Sequence, residues 1–495
     1  MHLNPPKPAV GCAPYAQGRW HETPLANAAS PSQMILPSEL RGAISAPGGG
    51  KITLVVGAGC SFEAPTSIPL AGTCSQECHD RLVANGVLAP GDCAAPTNLS
   101  CLADTLVSKG ATQRPLVEQL SRNYPFKAAT PNEGHCIAAA LLGEGAIASV
   151  VTLNFDLALT HAIGALGVGD VVGIIERPED LRDQKVVNLY YLHRNVNAAD
   201  PETWILRTEA LKNEWKGSWE AVVAAKVLAT PVVVFAGLGS PADVLIESTK
   251  LIQKAIPNAN TVYQVDPADQ DKSEFSKALA LDPDAFVKAN WGDFMTALSE
   301  RLVLEQTTQL RTAADALVTR DGLAAEDITG LLKRLEEIGL VRFGSLRASW
   351  LLHNKPYCRD EAIGRELIAD LLLTASMVAR VTGATAVLCE DGVVDFCRDD
   401  RTVASHLFVS GHGARSRLAI ESELSARRRR FRGRPTPPSG AVVAGTRNNA
   451  TAVTTPVDVV LGSESDSIVT GQSTLQIFLV ESLRADPNQC KQVAP

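Results

Sequence analysis

The 495-residue sequence has no apolar run approaching the ~20 residues needed to cross a bilayer. The longest candidate, 227–246, is broken by Pro231, Pro241 and Asp243, so no membrane partner is expected. The N-terminal stretch MHLNPPKPAVGCAPY lacks the uninterrupted apolar core of a secretory signal, which makes a cytoplasmic location the expectation. An excess of positive charge is also missing. A formal net charge of −8 argues against a protein that lives on phosphate backbones, and direct nucleic-acid binding is not favoured. The 11 cysteines are odd in number and irregular in spacing, which suits reduced thiols better than a disulfide framework. There is no internal repeat.

What is present is a chain long enough for two or three domains of roughly 100–200 residues each. Residues 1–48 are rich in Pro, Ala and Ser and read as a flexible leader closed by SAPGGGK. From Ile52 onward, short β-branched runs alternate with helical stretches. Strands are expected at 52–56, 147–153, 186–192, 232–236 and 261–265, each dense enough in apolar residues to be buried on both faces of a parallel sheet. A helix is expected over Pro69–Ala84, a mainly helical insertion over 94–142, and a closing helix over Leu298–Leu317. The fold class for residues 49–318 is therefore α/β, a Rossmann-like parallel sheet with a helical insertion. Beyond 319 the character changes to a separate mixed α+β domain. A helix, turn and apolar strand of winged-helix type is expected in EDITGLLKRLEEIGLVRFGSLRASWLL, an amphipathic helix over Glu361–Val381, and β-structure in ATAVLCEDGVVDF, SHLFVSGHG and VDVVLGSESDSIV.

The chemistry-bearing residues sit where strands end. The first strand runs into Gly57-Ala58-Gly59-Cys60-Ser61, where exposed backbone N–H groups and missing side chains allow a pyrophosphate to approach. The spacing is not GxGxxG, and such a turn is also common structural punctuation. The next strand ends in Asn154 and Asp156, at the edge where open α/β sheets bind ligands; Asp156 is equally suited to cap the helix that follows. A third ends in Leu192-His193, where a histidine can serve as a base near neutral pH. The fourth supplies a second glycine turn, Gly237-Leu238-Gly239-Ser240, and the fifth ends in Asp266, an acceptor suited to ribose hydroxyls.

In order, Gly-Ala-Gly-x-Ser with Ile68-Pro69 downstream, Thr-x-Asn-x-Asp, Leu-His, and Gly-x-Gly-Ser with an Asp behind resemble the sirtuin family over about residues 50–305. The resemblance implies a Rossmann-like domain that takes NAD as substrate and cleaves the bond between nicotinamide and ribose. It implies that Gly57, Ala58, Gly59 and Ser61 hold phosphates, with Pro69 in the same binding set. Asn154 and Asp156 would line the nicotinamide-ribose pocket, with His193 as the general base. Gly237, Gly239 and Ser240 would make the second phosphate and ribose contact, and Asp266 would meet the adenosine ribose.

The chain also departs from the protein-deacylating members. It reads Ser67-Ile68-Pro69-Leu70-Ala71-Gly72 where they resemble one another in Gly-Ile-Pro-Asp-Phe-Arg, and Arg194 follows the histidine where glycine is usual. No cysteine lies between Cys136 and Cys358, so the two Cys-x-x-Cys pairs of a structural zinc are missing and no zinc is expected. A zinc-free domain of this kind fused to a second domain resembles bacterial antiviral defence effectors. That resemblance implies outright NAD hydrolysis, a homo-oligomer, and a partner such as a hexameric translocase-type ATPase or another defence-system protein. An ADP-ribosyltransferase or deacylase, and a non-enzymatic sensor of NAD or ADP-ribose, are the alternatives. In the C-terminal part, the turn Gly411-His412-Gly413 and the basic run Arg427–Arg434 read as structural turn and solvated loop.

Overall fold

The computed structural model describes residues 34–211, 215, 217–239, 243–258, 260–322, 325–350, 363–398, 402–411, 417–429, 439–445 and 476–494. The run Ile52–Val56 (β1) has every side chain buried, as a strand covered on both faces requires. It is the centre of a seven-stranded sheet with Ser149–Thr152 (β2), Val172–Ile175 (β3), Val187–Tyr191 (β4), Val232–Ala236 (β5), Thr261–Asp266 (β6) and Phe286–Lys288 (β7). The order is β3-β4-β2-β1-β5-β6-β7 and every pairing is parallel. The expected Rossmann-like sheet is thus present, and two edge strands, β3 and β7, extend the five expected ones.

The helices of this part are Ser38–Ile44 (α1), Ala58–Phe62 (α2), Ala71–Ala84 (α3), Leu99–Ser108 (α4), Arg114–Asn123 (α5), Glu133–Gly143 (α6), Ala158–Ala165 (α7), Trp219–Leu228 (α8), Asp243–Ala255 (α9), Glu274–Leu279 (α10) and Trp291–Asp321 (α11). Helices α4 and α5 of the expected insertion pack with α3 around Leu82, Leu102, Leu106, Leu116 and Leu120. Asn98 starts α4 by accepting from the N–H groups of Ser100 and Cys101. The helix expected from Pro69 begins at Ala71, because Leu70 is still extended. The end of the expected leader also differs: Leu40, Ala43 and Ile44 are buried on one face of α1, and Glu39 accepts a bond from Tyr263 Oη at 2.9 Å. Three- and four-residue spacing of apolar side chains is what allows that short segment to pack as a helix.

After α11 come Thr329–Ile338 (α12), Leu340–Trp350 (α13) and Ile363–Thr382 (α14), then Thr385–Leu388 (β8), Val394–Cys397 (β9), Val403–Gly411 (β10), Arg417–Arg429 (α15), Ser439–Gly445 (β11) and Gln476–Leu479 (β12). The second sheet, β12-β11-β10-β9-β8, is mixed: β8, β9 and β10 pair antiparallel and β10, β11 and β12 parallel. The winged-helix expectation is corrected, since the apolar stretch after Gly339 is helix α13 and not a strand. Its buried residues Leu340, Phe343, Leu346, Arg347 and Trp350 recur every three or four positions. Arg347 meets Glu144 of the first part at 2.6 Å with both side chains buried.

The solvated-loop reading of the basic run is corrected over its first three residues, which form the last turn of α15. Arg427 is buried among Asp391, Asp395 and Glu423. Residues 430–434, His412 and the segment 457–469 lie outside the described residues. Among the described residues no helix is long and apolar enough to cross a membrane.

Candidate functional site at the carboxyl edge of the parallel sheet

Strand register builds the site. Val56 of β1 pairs with Thr152 of β2 and with Ala236 of β5, and Thr152 pairs with Tyr191 of β4. Ala58, Asn154, His193 and Leu238 therefore each stand two residues beyond one row, at the same edge of neighbouring strands. The chain leaves β1 toward β2 on one side and returns as β5 on the other, so this edge is a topological switch point, where a crevice opens between diverging loops.

The two glycine turns meet there. Gly57 N–H donates to Ala236 O and Gly59 N–H to Gly237 O, both at 2.9 Å. A Cβ on Gly59 would lie 2.7 Å from Gly237 Cα, and one on Gly57 would lie 2.5 Å from Leu238 Cδ2. Gly237 has φ +65°, and a Cβ there would meet Cys60 N at 2.6 Å. The glycines are thus required by the close approach of two backbones. Gly239 is exposed, with open space around it. No side chain caps α2, and Ala58 N–H has no partner among the described residues. Ser240 lies outside the described residues.

Asn154 ties the end of β2 to the first glycine turn. Its Nδ2 donates to Gly57 O at 3.0 Å and to Ser61 Oγ at 3.1 Å, and its own N–H is held by Thr152 Oγ1 at 3.0 Å. Both amide hydrogens are used, which leaves Oδ1 as an acceptor with no donor on it among the described residues. Ser61 Oγ donates to Asp156 Oδ2 at 2.9 Å, and Asp156 Oδ1 accepts Ala158 N–H at 3.0 Å at the start of α7. Asp156 is 5% exposed, and burial pushes its carboxyl above the ordinary value. The Ser61 hydroxyl can donate only once, and it donates to Asp156. Asp156 is both a helix start and the anchor of the Asn154–Ser61 chain.

His193 is half-buried, its ring edge-on to Trp215 at 6.4 Å between centroids. Desolvation, reinforced by the charge of Arg194, pushes its pKa down to about 4, so it is a neutral proton acceptor near pH 7. Arg194 has φ +70°, in the left-handed region that favours glycine. Its guanidinium is fixed by Glu220 of α8 at 2.7 Å and lies over the Trp219 ring at 5.2 Å. Asp266, last in β6, accepts Ala268 N–H at 2.8 Å on the same edge of the sheet. Pro69 is half-buried just before α3, and its carbonyl accepts from Cys74 Sγ at 3.4 Å.

Three contributors were not singled out from the sequence. Asn132 holds the back of α2 through Cys60 O at 2.8 Å while capping α6 by accepting His135 N–H at 3.0 Å. The Asn-x-x-His spacing ahead of an apolar run carries that signal. Glu63, at the end of α2, accepts Trp291 N–H at 2.8 Å and Gly292 N–H at 3.0 Å, and so seats the start of α11. Phe155 stacks on Trp204 with centroids 4.3 Å apart, against the apolar cluster shared with α4 and α5. Among the described residues no group of three or more His, Cys, Asp or Glu side chains could hold a metal ion.

No family model and no curated protein matches the chain. Among solved structures it is similar to a Sir2 homologue in complex with NAD, at 14% identity and a TM-score of 0.32, covering 53% of this chain and 93% of that one. A structure described under the mechanism and regulation of Sir2 enzymes gives 16% identity and a TM-score of 0.32, over 56% of this chain and 100% of that one. A mutant Sir2 homologue with ADP-ribose gives 16% and 0.31, over 53% and 95%.

Proposed function

We propose that residues 49–318 bind NAD and hydrolyse the bond between nicotinamide and ribose, and that residues 319–495 form a regulatory or assembly domain. The observation that supports this reading is Asn154: its amide donates to Gly57 O and Ser61 Oγ, which fixes the side chain and leaves Oδ1 as an acceptor one strand away from His193. The glycine turns and the Ala58 N–H would hold the pyrophosphate, and Asp266 the adenosine ribose.

In the reaction the C–N bond to nicotinamide breaks with its electron pair, leaving an oxocarbenium-like ribose. Water held by Asn154 Oδ1 forms the new C–O bond and loses a proton to His193, which passes it to solvent; the products are nicotinamide and ADP-ribose. Asp156 acts through Ser61 by keeping Asn154 oriented. Arg194, held by Glu220, stands where the deacylating members carry glycine, and this departure supports water as the acceptor. The sequence resemblance to antiviral effectors supports a cytoplasmic anti-phage role, an oligomeric assembly and a partner ATPase.

The test is NAD consumption by the purified protein, alone and with cell lysate, with products separated and Asn154→Ala and His193→Ala alongside. The expected result is nicotinamide and ADP-ribose without an added acceptor, reduced on the order of 10²-fold or more in each variant. Turnover that requires a protein acceptor would make it a transferase or deacylase. Tight binding without turnover under both conditions would make it a sensor.

A further inference from the structure

Cys93 and Cys101 face each other with their sulfurs 3.6 Å apart. Cys93 is buried in the loop ahead of α4, and Cys101 is half-buried in that helix's first turn. The pair lies eight residues apart in sequence, and the intervening Asn98 fixes Cys101 N–H at 3.0 Å, so the approach is set by local structure. Cys101 also lines a shallow, open surface depression with Asn98, Ser100, Asp104, Ser108 and Thr208. Of the two, Cys101 is the more exposed residue and Cys93 the buried one. A disulfide needs sulfurs about 2.05 Å apart, so closing this pair takes a shift of roughly 1.5 Å at the tip of two side chains.

We propose that Cys93 and Cys101 form a reversible thiol pair that closes to a disulfide on exposure to a peroxide. The Cys101 thiolate attacks a peroxide oxygen, breaking the O–O bond to give a sulfenic acid and, with a proton, water. The Cys93 sulfur then attacks the sulfenic sulfur and expels hydroxide, which takes up the thiol proton as a second water. Two thiols and one hydrogen peroxide give one disulfide and two waters. A dithiol reductant reverses the step by exchange.

The location gives the bridge a consequence. Cys93 belongs to the same apolar cluster as Trp204, and Cys101 and Phe155 pack against it. From α4, Asp104 accepts Thr208 N–H at 3.2 Å. Closing the pair therefore ties the loop ahead of α4 to the helix within the apolar cluster that also holds Trp204 and Phe155. The inference does not depend on what the crevice binds.

The experiment treats the full-length protein with hydrogen peroxide, alkylates the remaining thiols and maps the digest by mass. The expected result is one cross-linked peptide joining Cys93 to Cys101, lighter by two hydrogens and released by dithiothreitol, with both cysteines missing from the alkylated set. In Cys93→Ser the sulfenic acid on Cys101 has no resolving thiol and is trapped by dimedone, whereas the native protein takes up little. Oxidation of Cys101 to sulfinic acid while Cys93 stays alkylatable, or a bridge from either cysteine to a different partner, would overturn the proposal. The native digest alone decides the point if the variant does not fold.

Discussion

The guanidinium of Arg194 meets the carboxylate of Glu220 at 2.7 Å, with side chains 19% and 4% exposed, and it does so from a backbone at φ +70°. A residue one place past His193 is held in a conformation costly for anything but glycine because the first turn of α8 supplies a buried countercharge. Removing one partner of such a pair leaves an uncompensated charge, which costs about 3–5 kcal/mol. Glu220→Ala is expected to lose stability of that order in urea unfolding. The double change Arg194→Gly with Glu220→Gln is expected to recover most of the loss, because it removes the charge and the backbone strain together. Equal stability of Glu220→Ala and the native protein would show that the pair contributes nothing.

The two glycine turns allow a contrast. Gly59→Val would push a Cβ to 2.7 Å from Gly237 Cα, a backbone atom that cannot yield as a side chain would. Overpacking of this kind costs about 1–3 kcal/mol, and NAD affinity is expected to fall about tenfold, or about 1.4 kcal/mol. Gly239→Ala meets open space and is expected to leave the unfolding midpoint in place. Calorimetric titration with NAD, beside unfolding curves for both variants, checks the pair; undiminished affinity in Gly59→Val would remove the loop from the binding site.

For His193 the direction of the pH effect follows from burial. Its folded pKa of about 4 lies below the ordinary value of about 6.5, so the unfolded chain takes up the proton first as pH falls. Its neutral state costs no stability above about pH 6.5, and stability drains away on the order of 3 kcal/mol between there and about pH 4. His135, pushed by burial down to about 3, acts in the same direction. The acid limb of kcat/KM for NAD turnover is expected near 4 as well, since that parameter reports the free enzyme. A limb near 6.5 that disappears in His193→Gln would mean the ring is solvated.

Arg347 and Glu144 make the corresponding test between the two halves. The pair spans α13 and α6 at 2.6 Å, both side chains buried. Arg347→Met is expected to cost about 3–5 kcal/mol, and adding Glu144→Leu to restore a substantial part of it. Chemical unfolding of the single and double variants, read as a thermodynamic cycle, gives the coupling directly; additive effects would deny it.

How much of this was legible depended on the range of the interaction. Parallel strands buried on both faces are continuous β-branched runs, so β1, β2, β4, β5 and β6 could be placed from composition, and with them the sheet edge at which Gly57, Asn154, His193 and Asp266 follow their strands. The edge strands stand out less: β3 is interrupted by Gly173 and β7 is only three residues long. Helix α13 was readable from the spacing of Leu340, Phe343 and Trp350, yet its apolar density resembles a strand. What no local pattern discloses is pairing across distance. Ser61 and Asp156 are 95 positions apart and Arg347 and Glu144 are 203. The positive φ of Arg194 is a property of its partner on α8, and nothing in the residue itself announces it.

Helix α11 runs unbroken for 31 residues, a rod of roughly 46 Å at 1.5 Å per residue. Its first two N–H groups rest on the Glu63 carboxylate at the end of the glycine turn, while farther along its length it packs against α14 beside the second sheet. A rod seated this way makes one continuous element of the glycine turn's end and the packing beside the second sheet, so the two sheets share a single helix as their common support.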